Sequence, residues 1–207
     1  MLYIGEKEKN VVYVLPIAEI MANEAKIIRI AGFGGSFRKG SYNGKLLLEC
    51  QRLMPEGSCL DIASISSIPL YNQDLDENQP QAVKDFKEQI RKADGFLIST
   101  PEYDFSIPGY LKNALDYASR PTSENPFTGK VGAIVSASLS MLGGSRAQYH
   151  LRQVLGHMDA RVINRPEVFI SFANKKFDEQ GHINDEMAIG LIRQLLEKLV
   201  VEVRNQA

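Results

Sequence analysis

From residue 26 onward, short apolar runs alternate with stretches whose apolar residues recur at helical spacing. Ile27, Ile28 and Ile30 predict a first strand over 26–33 that runs into a glycine cluster. A helix over 42–54 should follow and stop at Pro55, with a second strand over 59–65. Ala82, Val83, Phe86, Ile90 and Ala93 repeat every third or fourth residue, and Gly95 is expected to end their helix before a third strand over 96–100. Pro108-Gly109 leads into a helix over 110–119. A fourth strand over 131–138, a helix over 144–158, a fifth strand over 161–171 and a closing helix over 183–203 complete the pattern. Such alternation predicts an α/β domain: a five-stranded parallel sheet with helices on both faces.

The 207 residues suit one medium domain, placed at 26–207, and residues 1–25 stand outside the alternation as an N-terminal extension without an assigned role. Either an appended arm or an overlong start accounts for them, since Met21 could itself open the domain. Hydrophobic content of 44% with 24% charged residues is ordinary for a globular chain. A net charge of −1 supplies no global field for nucleic acid or an anionic membrane, so an anion site has to be local. The apolar stretch 11–18 is too short to span a bilayer and contains Pro16. The mixed charges Glu6-Lys7-Glu8-Lys9 before it do not suit a signal peptide, which points to the cytoplasm. Cys50 and Cys59 lie in no metal-ligand or CxxC pattern and are expected to be buried structural residues; no metal site is expected.

Chemistry concentrates where strands end. After the first strand comes GGSFRKGSYN at 34–43. A dinucleotide GxGxxG read from Gly32 puts Phe37 at the third glycine, and a P-loop read from Gly35 puts Ser41 where its lysine belongs. What remains is a strand-loop-helix unit bearing Ser36, Arg38, Ser41 and Asn43 beside helix-terminal amides. That set suits one phosphate monoester, and equally a plain cap with a solvated arginine. The third strand ends in PEYDFSIPG at 101–109, where two prolines stiffen a loop able to present amides and an aromatic wall to a flat polar ring. The fourth ends in Ser136, Ser138 and the pair Gly143-Gly144. In the flavodoxin-like order 2-1-3-4-5, a three-layer sandwich, strands one, three and four are neighbours and ligands bind beyond their carboxyl ends. Phosphate at one loop and a planar ring between the others describe a mononucleotide, for which FMN is the candidate.

GSFRKGSYN at 35–43, IPLYNQDLD at 68–76, PEYDFSIPGYLKNALDYASRP at 101–121 and GGSRAQYHLRQ at 143–153 resemble the NADPH-dependent FMN reductase family, most closely its chromate/quinone reductase branch. The resemblance covers about residue 26 to the end. It implies that Ser36, Arg38, Ser41, Tyr42 and Asn43 bind the FMN phosphate. By the same resemblance Pro101, Glu102, Tyr103, Asp104 and Ser106 lie along the isoalloxazine, with Ser138 and Ser136 closing over it. Asp104 departs from the family asparagine. A carboxylate accepts but cannot donate, so the flavin potential or nicotinamide approach could differ. The resemblance also implies a homodimer or homotetramer, with Arg146, Tyr149 and Glu167 helping to join subunits.

The implied activity is hydride transfer from NADPH or NADH to the flavin and on to quinones, chromate or similar small acceptors. The flavin carries the chemistry, so no catalytic acid or base is required. His150, His157 and His182 accordingly read as structural, and Glu102 is the one proton-handling side chain in the motifs. Arg120 or Lys39 could meet a nucleotide 2′-phosphate. Two rivals are a flavodoxin-type electron carrier, disfavoured by the near-neutral charge, and a flavin-free regulatory protein.

Overall fold

A computed structural model describes residues 26–206. Strand β1 (Ile28–Gly34) carries its side chains alternately to two different cores. Ile28 and Ile30 face a layer built from α1 (Tyr42–Arg52) and α5 (Glu186–Arg204), while Ala31 and Phe33 face the opposite layer. That second layer comprises α2 (Gln81–Lys92), α3 (Gly109–Ala118) and α4 (Ser145–His157). The period of two along a strand buried on both faces therefore produces the three-layer sandwich.

Strands β2 (Ser58–Ile62), β3 (Gly95–Ser99), β4 (Val131–Ala137) and β5 (Arg161–Val162) join β1 in a parallel sheet of order β2-β1-β3-β4-β5. The strand order is the expected one. The expected fifth strand over 161–171 is instead two short pieces, because β6 (Val168–Ile170) pairs separately with the far end of β4. Pro166, which has no amide to donate, interrupts the ladder between them. Arg152 fills the gap, its guanidinium donating to the Ile163 carbonyl at 2.9 Å and to Asn164 Oδ1 at 3.2 Å.

Gly95 opens β3 rather than ending a helix, and α2 already stops at Lys92. A Cβ on Gly95 would stand 2.7 Å from Val203 Cγ2, so a close approach of sheet and closing helix requires that glycine. Cys50 is buried in the α1/α5 core, where burial pushes its thiol far up; Cys59, on edge strand β2, is only half-buried. The expectations for residues 1–25 lie outside the described residues.

Candidate functional site

The three chemistry-bearing loops leave the sheet side by side. The Gly35 amide donates to the Ser99 carbonyl at 2.9 Å, and the Thr100 amide to the Val135 carbonyl at 3.0 Å. Loops after β1, β3 and β4 thus share one rim at the carboxyl edge, next to the point where winding reverses between β1 and β3.

In the first loop Ser41 caps α1, its Oγ accepting the Gly44 amide at 3.3 Å. The helix start leaves the Tyr42 and Asn43 amides without intrahelical acceptors, a concentrated positive end. Arg38 is exposed, its guanidinium reaching only the Gly40 carbonyl at 3.4 Å, and no carboxylate among the described residues pairs with it. Asn43 points inward. Its amide donates to the Ala137 carbonyl at 2.8 Å and accepts the Ala137 amide at 2.9 Å, and its carbonyl accepts the Ser99 hydroxyl at 2.8 Å. Only the Asn43 backbone is therefore free to meet an anion; the side chain rivets α1 to β4.

The second loop is a hairpin in miniature. Tyr103 and Ser106 exchange backbone hydrogen bonds at 3.0 and 2.9 Å, and both central residues adopt left-handed backbone, φ 48° at Asp104 and 65° at Phe105. That is the requirement of a type I′ turn, in which Asn and Asp serve alike at the first central position. The Asp104 departure thus has a conformational rationale. A left-handed phenylalanine costs about 1–3 kcal/mol, yet the ring stands 63% exposed at the hairpin tip with Tyr103 beside it at 44%. Aromatics held in the open at such a cost are placed for contact with something outside the core.

Glu102 does not face the rim as a free acid. Its Oε1 lies 2.6 Å from Arg146 Nε and 2.5 Å from Arg146 Nη2, and its Oε2 accepts the Arg146 amide at 3.1 Å. The guanidinium also lies over the Phe105 ring at 3.6 Å. Arg146 therefore clamps the hairpin from α4 within the chain. Ser106 Oγ lies 3.1 Å from His150 Nδ1, so a histidine of α4 supports the hairpin from the helix. Pro101 is buried beneath the hairpin, against the first loop at Gly35.

Tyr110, in the first turn of α3, joins the first two loops. Phe37 stacks on its ring with centroids 4.3 Å apart and planes 25° apart. Burial, then the neighbouring Tyr103 hydroxyl, push the Tyr110 phenol up to about 12, while the Ser36 hydroxyl and the Phe37 amide act in the opposite sense.

In the third loop Ser136 is fully buried, donating to the Gly143 carbonyl at 2.6 Å and accepting from Gln148 Nε2 at 2.8 Å. Its side chain supports the loop from below. Ser138 is nearer the rim, with Oγ accepting the Ser140 amide at 3.1 Å. The segment after β6 is stitched to this loop: the Phe172 amide donates to Ser140, the Ala173 amide to Ser138, and the Ser171 hydroxyl to Met141 at 2.6 Å. Phe37, Tyr103, Phe105, Leu139, Met141 and Phe172 all stand exposed on these loops and form an apolar rim.

Of the expected site residues, Ser36, Arg38, Ser41, Tyr42, Tyr103, Asp104, Ser106 and Ser138 gather at this rim. Asn43 and Ser136 serve it from underneath, and Glu102 serves it through Arg146. Arg120 does not reach it. That residue follows α3, which starts at the rim and runs ten residues toward the opposite edge of the sheet. At about 1.5 Å per residue this is some 15 Å away. Tyr149 is half-exposed, with its ring edge-on to Phe169 at 6.2 Å, and the Glu167 charge acts on the half-buried Arg152 guanidinium. Sequence reasoning missed Tyr110, Phe37, Phe172 and the Arg146 clamp. One signal was present: Arg146 in the first turn of α4 opposes the helix dipole and so needs an acid from elsewhere. Among the described residues there is no group of side chains arranged to hold a metal, and no helix long and apolar enough to cross a membrane.

Residues 28–175 match the family model described as NADPH-dependent FMN reductase. The chain is 50% identical over 179 residues to an NAD(P)H-dependent FMN reductase of Pseudomonas aeruginosa, covering 86% of this chain and 96% of that protein. It is 39% identical over 179 residues to a 2-hydroxy-1,4-benzoquinone reductase of a Burkholderia species, covering 86% and 98%. Among solved structures, the flavoenzyme NAD(P)H:(acceptor) oxidoreductase FerB from Paracoccus denitrificans superposes with a TM-score of 0.80 at 31% identity, over 86% of this chain and 98% of that one.

Proposed function

Because the chain belongs to the NADPH-dependent FMN reductase family, we propose that the rim binds FMN with its phosphate at the first loop and its ring between the second and third. The protein is an FMN-dependent oxidoreductase that draws on NAD(P)H. The observation that carries the site assignment is the pairing of an uncompensated Arg38 and free α1 amides with an exposed aromatic hairpin on the adjacent strand. A dianionic phosphate satisfies the first feature, and a flat heteroaromatic ring satisfies the second.

When bound, FMN supplies a two-electron carrier that accepts hydride from the nicotinamide and passes reducing equivalents to the acceptor. The chain's own residues position it. Ser36, Ser41, Arg38 and the amides of Tyr42 and Asn43 hold the phosphate. The hairpin amides of Asp104 and Phe105, which the Tyr103–Ser106 hydrogen bonds leave unused, would present fixed dipoles to the ring edge, kept rigid by the Glu102–Arg146 clamp. Ser138 covers the ring from the third loop. No side chain is needed as acid or base, since acceptors of this kind take protons from water.

Quinones are the proposed acceptors, consistent with the relatives' activities, and chromate extends the same open-faced chemistry. Cytoplasmic location is part of the same proposal, as is assembly into a homodimer or homotetramer using Tyr149, Glu167 and the outer edge of Arg146. The test is anaerobic. Adding NADPH to FMN-loaded protein should bleach the flavin, and 1,4-benzoquinone should restore its colour within the mixing time. A flavin that stays yellow after NADPH and NADH would return the chain to the electron-carrier reading.

A further inference from the structure

An open groove of about 660 Å³ lies beside the first loop, between Arg38, Tyr42, Leu139, Phe172, Asn174 and Lys175. We propose that this groove seats the adenosine end of NADPH, with Lys175 pairing its 2′-phosphate and Phe172 presenting a face for the adenine. The inference rests on the flavin reading, because it assigns the other end of the reductant to the flavin rim.

Charge bookkeeping separates these cations from their neighbours. Lys176 is paired with Asp185 at 3.2 Å. Neither Lys175 nor Arg38 has a carboxylate within 4.0 Å among the described residues. Arg38 serves the flavin phosphate at the first loop, so Lys175 is the cation of this groove left without a counter-charge, and an unpaired ammonium favours a phosphate oxygen beside it. FMN has a single phosphate, already served by Arg38, the helix amides and the hydroxyls of the first loop, so Lys175 has capacity for a second.

Phe172 supplies an independent argument. It holds left-handed backbone, φ 50°, while its ring stays 44% exposed. A phenylalanine strained into the open is unfavourable twice over, and such outliers cluster at ligand clamps. The strain is maintained by the hydrogen bonds of residues 171–173 to the third loop. The Lys175 ammonium lies 5.8 Å from the same ring, so an aromatic face and a cation are offered together. A purine carrying a phosphate on its ribose needs both groups. Leu139 belongs both to this groove and to the loop that closes over the flavin, so a dinucleotide can run from one to the other along a single loop.

Adenosine 2′,5′-bisphosphate and 5′-AMP, titrated by calorimetry into FMN-loaded protein, provide the test. The bisphosphate should bind at least about tenfold more tightly, and Lys175→Ala should remove about tenfold of its affinity with little effect on 5′-AMP. In steady state the same variant should lower kcat/KM for NADPH about tenfold relative to NADH, and Phe172→Ala should weaken both nucleotides. Equal affinity for the two mononucleotides, or an equal loss for NADPH and NADH in Lys175→Ala, overturns the proposal. FMN content, read from the visible absorbance of the same samples, separates this site from the flavin site. Loss of FMN in Lys175→Ala would reassign the groove to the flavin phosphate and overturn the proposal. Wild-type protein that cannot take up FMN would overturn the flavin reading on which it rests.

Discussion

One oxygen of Glu102 sits between two nitrogens of Arg146, 2.6 Å from Nε and 2.5 Å from Nη2, and this contact joins the loop after β3 to the first turn of α4. The pair is only partly buried, with the carboxylate 9% and the guanidinium 38% exposed. Its strength thus falls between that of a surface pair and that of a core pair. Arg146→Ala should cost about 1–2 kcal/mol of stability and weaken FMN binding, because the hairpin tip loses its anchor. Arg146→Lys should recover less than half of either, since an ammonium cannot contact both positions or lie flat on Phe105. Urea unfolding and flavin fluorescence quenching measure the two effects; a Lys variant equal to wild type would show that charge alone suffices.

Asn43 presents the opposite case, a motif residue that works by facing away from the ligand. Asn43→Ala leaves both polar groups of buried Ala137 without their side-chain partner and should cost about 3 kcal/mol. Asn43→Asp should be no better, because a carboxylate has no hydrogen to offer the Ala137 carbonyl. Thermal unfolding of both variants checks the order. A stable Asn43→Asp protein would contradict the rivet.

Gly144 caps α4 with φ 91°, and a Cβ there would stand 2.8 Å from Ser136 Cβ. Gly144→Ala therefore combines a left-handed penalty with a clash against a fully buried side chain. The expected loss is about 2–4 kcal/mol. Soluble yield and unfolding midpoint are the readouts, with Gly156→Ala, whose Cβ would meet nothing within 4 Å, as the matched control.

A pH dependence follows from Glu49, buried on α1 away from the rim. Burial pushes its carboxyl up, but hydrogen bonds from Arg52, His182 and the Ile183 amide outweigh this and hold it below the ordinary 4.5. A carboxyl lowered in the folded state adds stability that is present above the unfolded value and lost as pH falls through the folded one. Stability should therefore decline as pH drops below about 4.5, and Glu49→Gln should flatten that limb while lowering stability at neutral pH. Urea midpoints from pH 3 to 7 test it; an unchanged slope in Glu49→Gln would assign the acid limb elsewhere.

The alternation of apolar runs by itself determined the sandwich, because a strand buried on both faces and a helix buried on one leave periodic marks that need no partner to be read. The three loops were readable for the same local reason: hydroxyls, glycines and prolines gather where regular structure ends. Pro166 was also visible, yet its splitting of the last strand emerged only against β4, since a missing amide matters only beside an acceptor. The direction of a side chain within a motif was a tertiary decision. Asn43 and Ser136 turn inward because Ala137 and Gln148, remote in sequence, offer buried partners. Glu102 is occupied because Arg146 arrives from another helix. Phe172 and Lys175, in a stretch with no motif, reach the rim only because β6 pairs with β4 and carries them there. Composition and spacing thus located the chemistry at the ends of strands, and packing decided which groups face the ligand and which support those that do.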